Sequence, residues 1–233
     1  MWRAIADLLF PPSCAGCRAL RPDDLFCADC REEVEHLPAW RCRLCSGSLP
    51  PPVRRGEVRP GLCAHCTERR PAFDGVWAAF AYGGPVARAV HRLKYRGERG
   101  LADRLAAPMR NAGAEALAVA DAIVHVPLHP VRRRRRGYDQ ALLLARALAR
   151  REGVPHRALL RRVRAGDPQV GRGREDRSAA MVDAFEASPD ARGRHVVLVD
   201  DVVTTGATAD AAARALVRAG AAHVFVLALA RAL

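Results

Sequence analysis

Two adjacent carboxylates, Asp200 and Asp201, follow a short apolar run, and a loop of small hydroxyl side chains comes directly after them. The apolar run, Val196–Val199, is mostly β-branched, which predicts a buried parallel strand with the acidic pair at its carboxyl end. The loop leads into an alanine-rich helical pattern that extends from Ala207 to Ala219. In α/β sheets such a unit of strand, loop and helix forms ligand sites.

The residue types of this loop predict sugar-phosphate chemistry. Threonine hydroxyls can donate hydrogen bonds, a glycine lets the backbone approach a ligand, and the first N–H groups of a helix favour a phosphate. The candidate binding residues are Thr204, Thr205, Gly206, Ala207 and Thr208. Two carboxylates would repel a phosphate, so we expect them to hold sugar hydroxyls or Mg²⁺ instead. The alternative, an ordinary turn with chance acidic residues, is disfavoured because paired aspartates at a buried strand are costly without a partner.

The segment Val196–Thr208 resembles the phosphoribosyl pyrophosphate (PRPP) motif of type I phosphoribosyltransferases over thirteen consecutive positions. The resemblance implies that Asp200 and Asp201, the candidate catalytic residues, contact the ribose 2- and 3-hydroxyls and that the loop wraps the 5-phosphate. It also implies an α/β fold with a mostly parallel sheet flanked by helices, and Mg²⁺ bound together with PRPP.

All eight cysteines lie within the first seventy residues, as four C-x-x-C pairs. The candidate metal ligands are Cys14, Cys17, Cys27, Cys30, Cys42, Cys45, Cys63 and Cys66. Each pair can place two thiolates on one metal, and two pairs complete a tetrahedral zinc site. We therefore expect two structural zinc ions, with the pairs combined either in sequential or in crossed order. A disulfide framework would require secretion, and no secretion signal is visible.

The cysteines divide the chain into a predicted zinc-ribbon module, residues 1–70, and a type I phosphoribosyltransferase-like domain, residues 71–233. Zinc would supply the folding free energy that so small a module cannot obtain from an apolar core. A closed site of four thiolates has no open position, so we expect no catalysis there. Within the module, Met1–Phe10 is predicted to be a short helix and Leu49–Pro60 a loop.

The 233 residues carry a net charge of +13, and Lys94 is the only lysine among the basic residues. Residues 131–165, which include the arginine run Arg132–Arg136, hold 12 arginines against two acidic residues, which suggests a surface for polyanions such as pyrophosphate or nucleic acid, with a solvated charged face as the alternative. The longest apolar runs, such as Val224–Ala230, are too short to cross a membrane. We therefore expect a cytoplasmic protein that does not insert into membranes.

Periodicity and end signals predict the elements that position these residues. A strand or hairpin is predicted at Phe73–Tyr82. Helices are predicted at Val86–Tyr95, Leu101–Ala112 and Gln140–Arg151, and further strands at Asp121–Val126, Arg157–Val163 and Val224–Ala230. Asp139 is expected to cap the helix that begins at Gln140, and Gly153 to end it.

A second resemblance covers nearly the whole chain. The segments Leu93–Gly97 (LKYRG), Pro127–Pro130 (PLHP) and Arg136–Gln140 (RGYDQ) combine with the cysteine pairs and the PRPP motif to resemble the ComF family of bacterial competence-associated proteins. Asp139 stands where that family more often has Asn. The resemblance implies that Leu128–Val131 receives the pyrophosphate, with charge from the arginine run. The further candidate ligand residues are Lys94, Leu128, His129 and Arg136, and the alternative for His129 is a capping role.

The polar segment Arg164–Arg177 has no apolar period, which is typical of a lid or a disordered loop. By resemblance it corresponds to the loop that closes over the reacting centre, with Arg172, Arg174 and Arg177 as candidates to reach the pyrophosphate. It lacks the Leu-Ser pair that ComF-like chains usually carry there, which weakens any transfer of residue roles within the lid.

The resemblance implies two functions of different classes. The first is an enzyme that transfers phosphoribosyl from PRPP to a nitrogen acceptor, with release of pyrophosphate; whether the chain is catalytically active stays open, and the sequence identifies no acceptor. The second is a non-catalytic adaptor that binds single-stranded DNA during DNA uptake and acts beside a DEAD-box helicase. Aromatic residues make up only 5% of the chain, which argues against an extended stacking platform for bases.

Overall fold

The computed structural model describes residues 13–20, 24–51, 61–163 and 184–233. The helix predicted at Met1–Phe10, most of the loop at Leu49–Pro60 and the lid at Arg164–Arg177 lie outside these residues. The division of the chain near residue 70 stays a prediction, because both cysteine-rich segments share apolar clusters with the rest of the chain.

Six strands and eight α-helices form the described part of the chain. The strands are β1 (Gly75–Ala81), β2 (Ala122–His125), β3 (Leu160–Arg162), β4 (Phe185–Ala187), β5 (His195–Val203) and β6 (His223–Arg231). The helices are α1 (Ala28–Glu32), α2 (Ala64–Glu68), α3 (Gly84–Tyr95), α4 (Leu101–Ala112), α5 (Ala114–Ala118), α6 (Pro130–Arg136), α7 (Gln140–Glu152) and α8 (Ala207–Arg218). None of these helices is both long and apolar enough to cross a membrane.

The central sheet has four strands in the order β1-β6-β5-β2, and all three pairings are parallel. Strands β3 and β4 form a separate antiparallel pair. Helices cover both faces of the sheet, which confirms the predicted α/β class. The apolar run of β5 explains the arrangement, since Val196 and Leu198 pack on the α8 side while Val197 and Val199 pack on the side of α3, α4 and α7.

The end signals of α7 place this helix as predicted. Oδ1 of Asp139 accepts hydrogen bonds from the backbone N–H groups of Ala141 and Leu142, at 3.0 and 3.2 Å. At the other end, Gly153 adopts the left-handed conformation with φ of 69°, which a side chain would disfavour. The buried face of α7 therefore begins and ends where the sequence indicates.

Two elements differ from the sequence prediction. Strand β5 does not end before the acidic pair but continues through it to Val203, because β6 still offers backbone partners, with Val202 opposite Ala230 and Val203 opposite Arg231. Carboxylate side chains change the surface of a strand without interrupting its backbone pairing. In addition, the arginine run is a helix, α6, that begins at Pro130 inside the predicted pyrophosphate loop Leu128–Val131. Its lack of any apolar period hid it from the sequence analysis.

Candidate active site and metal centres

The acidic pair lies near the carboxyl end of β5, next to the middle of the sheet. Each carboxylate accepts a hydrogen bond from the following residue: Oδ1 of Asp200 from the N–H of Asp201 at 2.8 Å, and Oδ1 of Asp201 from the N–H of Val202 at 3.0 Å. Burial and the neighbouring Asp201 carboxylate raise the pKa of Asp200 well above its usual range. The pair therefore holds more negative charge than its surroundings neutralise.

Lys94, at the last turn of α3, makes the ion pair that partly balances this charge. Its Nζ lies 2.5 Å from Oδ2 of Asp201, and the two side chains are 22% and 6% exposed. Within the described ranges, this buried oxygen accepts no hydrogen bond of regular geometry. The sequence analysis placed Lys94 at the site as a ligand residue, and the structure places its ammonium group against the acidic pair.

The loop after β5 has the geometry expected of an anion site. Gly206 has a φ of 84° and precedes α8, so a residue with a side chain would be strained there. Thr204 and Thr205 are exposed, and Thr208 is half-buried in the first turn of α8. No side chain caps this helix start, since the Oγ1 of Thr205 makes only a 3.3 Å contact with the N–H of Ala207. Hydroxyls and backbone N–H groups are thus left to face a ligand.

The loop between β2 and α6 is held by Asp139, in a role that the sequence analysis missed. While Oδ1 of Asp139 caps α7, its Oδ2 accepts a hydrogen bond of 2.8 Å from the N–H of Leu128. The N–H of Leu128, a candidate ligand residue, is therefore already bonded to Asp139. His129 caps α6, and its Nδ1 accepts a 3.4 Å contact from the N–H of Val131. This contact agrees with the capping alternative for His129 and leaves only its Nε2 for a ligand.

The end of α6 packs against the end of α3, which carries Lys94. The guanidinium of Arg136 lies 4.8 Å from the ring centre of Tyr95 and also donates to Oε1 of Gln140. The hydroxyl of Tyr138 donates to the carbonyl of Leu93 at 2.5 Å. These contacts bring the R-G-Y-D-Q and L-K-Y-R-G segments, which are remote in sequence, together beside Lys94 and the acidic pair.

Arg162 on β3 is a candidate that the sequence analysis did not single out. Burial lowers the pKa of its guanidinium, and the positive charge of Arg132 lowers it further, while the Asp200 carboxylate acts in the opposite direction. Its guanidinium also lies 5.2 Å from the ring centre of Phe185. Arg162 and Arg132 therefore add positive charge on the Asp200 side of the site, where the charge of Lys94 also acts to lower the pKa of Asp200. An arginine in a short strand carries no distinctive sequence signal in a chain so rich in arginine.

The eight cysteines form two sets of four, combined in sequential rather than crossed order. One set is Cys14, Cys17, Cys27 and Cys30; the other is Cys42, Cys45, Cys63 and Cys66. Within each set the sulfur atoms lie within 4.8 Å of one another, and the Cys17–Cys27 and Cys45–Cys63 sulfurs are 3.6 and 3.7 Å apart. Tetrahedral zinc–thiolate bonds give sulfur separations of about 3.8 Å. Both donor sets therefore fit structural zinc.

The two zinc ribbons, residues 13–30 and 41–66, repeat one local geometry. In each, the residue after the second cysteine, Arg18 or Ser46, has a positive φ, of 70° and 53°. Burial would raise the pKa of the first thiol in each ribbon, but converging backbone N–H groups outweigh it and lower the pKa of Cys14 to about 6 and that of Cys42 to about 7. Donors that stabilise a thiolate in this way prepare it to bind a metal.

Each ribbon is bound to the body of the chain by a buried arginine that donates to backbone carbonyls. Arg92 on α3 donates to the carbonyls of Cys14 and Ala15, at 2.5 and 2.8 Å, and pairs with Glu98. Arg231 at the end of β6 donates to the carbonyl of Cys45 at 2.8 Å and to the carbonyl of Thr204. The sequence analysis identified neither residue.

Comparisons with known proteins agree with this architecture. The model of the phosphoribosyl transferase domain matches residues 138–232, and the model of the double zinc ribbon domain matches residues 5–67. Competence protein F of Haemophilus influenzae is 30% identical over 216 residues, which cover 89% of this chain and 90% of that protein.

Two further relatives cover most of the chain. The DNA utilization protein YhgH of Salmonella typhimurium is 34% identical, over 80% of this chain and 85% of its own. Competence protein ComFC of Bacillus subtilis is 26% identical, over 86% of this chain and 81% of its own. The double zinc ribbon, the phosphoribosyltransferase-type domain and this similarity along the chain lead to one conclusion: the chain belongs to the ComF family.

Proposed function

We propose that the chain binds PRPP with Mg²⁺ at the carboxyl end of β5 and transfers its phosphoribosyl group to a nitrogen acceptor. The observation that carries this proposal is the acidic pair near the end of β5, followed one short threonine turn later by a left-handed glycine that begins α8 without a side-chain cap of its own. The carboxylates suit hydroxyl donors, and the loop suits an anion. A ribose 5-phosphate unit presents both groups at a separation that one strand and its following loop can span.

The residues around the pair have separate roles in the proposed reaction. Asp200 and Asp201 accept hydrogen bonds from the ribose 2- and 3-hydroxyls, while Lys94 holds Asp201 in place through their ion pair. The loop Thr204–Thr208 binds the 5-phosphate. Arg162 and Arg132 lie on the side of Asp200 and stabilise the negative charge that develops on the leaving pyrophosphate.

The bond changes balance without a general base on the protein. The bond from C1 to the pyrophosphate oxygen breaks with its electron pair, the acceptor nitrogen forms a bond to C1, and the nitrogen loses a proton to solvent or to pyrophosphate. Mg²⁺ supplies neutralisation of the pyrophosphate charge when it is bound, and the uncompensated carboxylates of the acidic pair are oxygen donors of the type it prefers. The acceptor is a nitrogen compound that the described residues do not identify.

Calorimetric titration of PRPP with Mg²⁺ tests this proposal. We expect Asp200→Asn to weaken binding roughly a hundredfold, because two charge-assisted hydrogen bonds are weakened, at about 1.5 kcal/mol each. Asp190→Asn is the matched control, since Asp190 is an exposed carboxylate in the short helix Pro189–Ala191. Equal affinity of the wild type and Asp200→Asn would exclude the ribose role, and no binding to zinc-loaded wild type would exclude the site as a whole.

A second candidate function, a single-stranded DNA adaptor, is favoured by helix α6. Arg132, Arg133, Arg134 and Arg135 are all exposed on this one short helix, and two relatives are named for competence or DNA utilization. Clustered arginines bind phosphate backbones in a salt-dependent manner. The cytoplasmic location and an association with a DEAD-box helicase remain part of this proposal.

DNA binding can be separated from the PRPP site by a matched pair of variants. We choose Arg134→Ser/Arg135→Ser, because Arg132 acts on Arg162 and Arg136 packs on Tyr95. For this variant we expect weaker binding of a single-stranded oligonucleotide and a smaller salt slope, by roughly 0.7 for each lost phosphate contact. Asp200→Asn should leave oligonucleotide binding intact. Loss of binding in both variants to the same extent would contradict separate surfaces.

A further inference from the structure

Arg231 occupies an unusual position for a buried charge. Its side chain is 7% exposed, and its Nε donates to the carbonyl of Cys45 at 2.8 Å. Its Nη1 donates to the carbonyls of Val203, Thr204 and Ala232. Among the described residues no carboxylate pairs with Arg231. Within this part of the chain its charge is therefore stabilised by carbonyl dipoles from the second zinc ribbon, from the end of β5 and from Ala232.

Arg92, which is equally buried, differs from Arg231 in having a carboxylate partner. Arg92 also donates to ribbon carbonyls, but its Nε additionally contacts both carboxylate oxygens of Glu98, at 3.0 and 2.9 Å. If the first ribbon moves, Arg92 keeps a charged partner. If the second ribbon moves, the Nε of Arg231 loses the hydrogen bond to Cys45 while Nη1 keeps its carbonyl partners, and an unsatisfied N–H on a buried guanidinium is costly.

The Cys45 carbonyl is itself fixed by the metal-binding turn. Cys45 is a candidate zinc ligand, and the next residue, Ser46, has a positive φ and donates to the carbonyl of Val76 at 2.5 Å. At Gly47 an added Cβ would lie 3.3 Å from both Nη2 of Arg231 and Sγ of Cys45. The turn, the sulfur ligand and the guanidinium are thus in close contact, so the shape of the turn determines where Arg231 lies.

We infer that Arg231 is a positioning residue that couples metal occupancy of the second ribbon to the shape of the Thr204–Thr208 loop. Its planar guanidinium contacts Cys45 and Thr204 at the same time, which a lysine ammonium cannot do in the same geometry. Because linkage is reciprocal, a ligand that orders the loop must also strengthen zinc retention by the second ribbon. The ligand half of this inference rests on the proposed function; the metal half does not.

The metal half is tested by hydrogen exchange read out by mass spectrometry, without any ligand. Treatment of the wild type with a zinc chelator should increase exchange of the Asp210 amide, whose N–H donates to the carbonyl of Gly206 in the loop at 2.8 Å, at least about fivefold, the lower range of typical coupling between sites. The β2 segment Ala122–His125 provides the internal reference. In Arg231→Lys, the Asp210 amide should exchange rapidly already with zinc bound, and chelation should add little.

The ligand half is tested by cysteine alkylation in the presence of a chelator. Peptide mapping separates the cysteines of the two ribbons, so each protein contains its own control. Ribose 5-phosphate, the probe, should slow alkylation of Cys42, Cys45, Cys63 and Cys66 at least about fivefold in the wild type, and this protection should be lost in Arg231→Lys. Metal analysis should still find zinc in both ribbons of that variant.

The outcomes distinguish the inference from the proposed function. Loop exchange that responds to chelation, without binding of ribose 5-phosphate, would support the coupling and contradict the proposed function. Calorimetric binding of ribose 5-phosphate that leaves alkylation of the second ribbon unchanged would overturn the coupling alone. An increase of exchange in Arg231→Lys that is as large in β2 as in the loop would also overturn it, because the residue would then act only on general stability.

Discussion

The two zinc ribbons have the same turn geometry but contact opposite parts of the candidate site. The first ribbon is bound through Arg92 to α3, whose last turn places Lys94 on Asp201. The second is bound through Arg231 to the end of β5, where the threonine loop begins. One ribbon thus lies behind the acidic pair and the other behind the threonine loop.

This difference indicates what a repeated metal module contributes here. Neither cysteine set has an open coordination position, so neither ribbon takes part in the reaction. Both instead present main-chain carbonyls, fixed by the metal-binding turns, to a buried guanidinium from the body. The repeat therefore provides two rigid supports whose effects on the site can be separated experimentally.

The largest expected effect, on zinc content, comes from replacing the last cysteine of each set in the variants Cys30→Ser and Cys66→Ser. Each variant should fall from about two zinc ions per chain to about one, because three thiolates no longer close a tetrahedral site. Cys66→Ser should weaken binding of ribose 5-phosphate more than Cys30→Ser does, since the second ribbon lies behind the phosphate loop. Elemental analysis and calorimetry measure the two quantities.

The same two variants could also contradict the claim that the two ribbons support different parts of the candidate site. If both lose ribose 5-phosphate binding in proportion to their loss of thermal stability, the ribbons would serve only the general stability of the chain. A zinc content that stays near two in either variant would instead contradict the assignment of that cysteine as a ligand.

Arg92→Met should have the next largest effect. The change leaves the carbonyls of Cys14 and Ala15 without their donor and removes the buried one of the two arginines that pair with Glu98, so we expect the free energy of unfolding to fall by about 4 kcal/mol. Urea unfolding measures this loss. The control is Arg214→Ala, which breaks only the exposed pair with Asp210 on α8 and should cost less than about 1 kcal/mol. Similar losses in both variants would show that the buried carbonyl contacts add no stability.

Neutralising either carboxylate of the acidic pair, Asp200 or Asp201, should change the stability of the folded chain, but in opposite directions. Asp201→Asn leaves the Lys94 ammonium without its partner and should lower the free energy of unfolding by about 3 kcal/mol. Asp200 has a raised pKa in the folded state, so its ionisation opposes folding above the pKa of the unfolded chain; Asp200→Asn should therefore raise the unfolding temperature. Thermal unfolding at pH 8 without ligand tests both signs. Destabilisation by both changes would contradict the charge balance described for the pair.

The smallest expected effect is a pH dependence of stability that arises in β2. This strand lies at one edge of the central sheet, and β1, whose Val76 carbonyl accepts a hydrogen bond from Ser46 of the second ribbon, lies at the other edge. Burial lowers the pKa of His125 from 6.5 to about 4, and its Nδ1 lies 3.1 Å from Nε2 of His156. The charge of His156 and those of Arg133 and Arg146 lower it further, while Asp139 opposes them.

The unfolded chain therefore binds this proton below pH 6.5, while the folded chain does so only near pH 4. The stability is complete above pH 6.5 and falls as the pH decreases, by about 2 kcal/mol at pH 5. His125→Gln should flatten the pH dependence of urea unfolding in this window. An unchanged slope in the variant would assign the acid sensitivity to other groups.

The sequence predicted most of the sheet and the helix ends because their signals are local. Four apolar residues before Asp200 indicate a buried strand, and Asp139 and Gly153 mark the ends of α7 by capping chemistry that needs no tertiary context. The combination of the cysteine pairs followed sequence order, which the spacing alone left open against a crossed arrangement.

The contacts that organise the site were not predictable because they depend on tertiary structure. Arg92, Arg162 and Arg231 look like any other arginine in a strongly basic chain, although each becomes buried or half-buried in the fold. The second hydrogen bond of Asp139, to Leu128, requires knowledge of which loop lies beside the cap. Likewise, the continuation of β5 past the acidic pair depends on the length of its neighbour β6.

The sheet order has a consequence for how the chain folds during translation. Strand β6 lies between β1 and β5, yet it is the last of the four in chain order, so β1 has no partner in this sheet until residues 223–231 have been synthesised. Both cysteine sets are complete by Cys66, so the nascent chain can acquire metal long before the sheet closes. Arg231, at the end of β6, is then among the last residues to reach the ribbon it binds. Insertion of β6 therefore completes both the central sheet and the contacts of Arg231 with the Cys45 and Thr204 carbonyls.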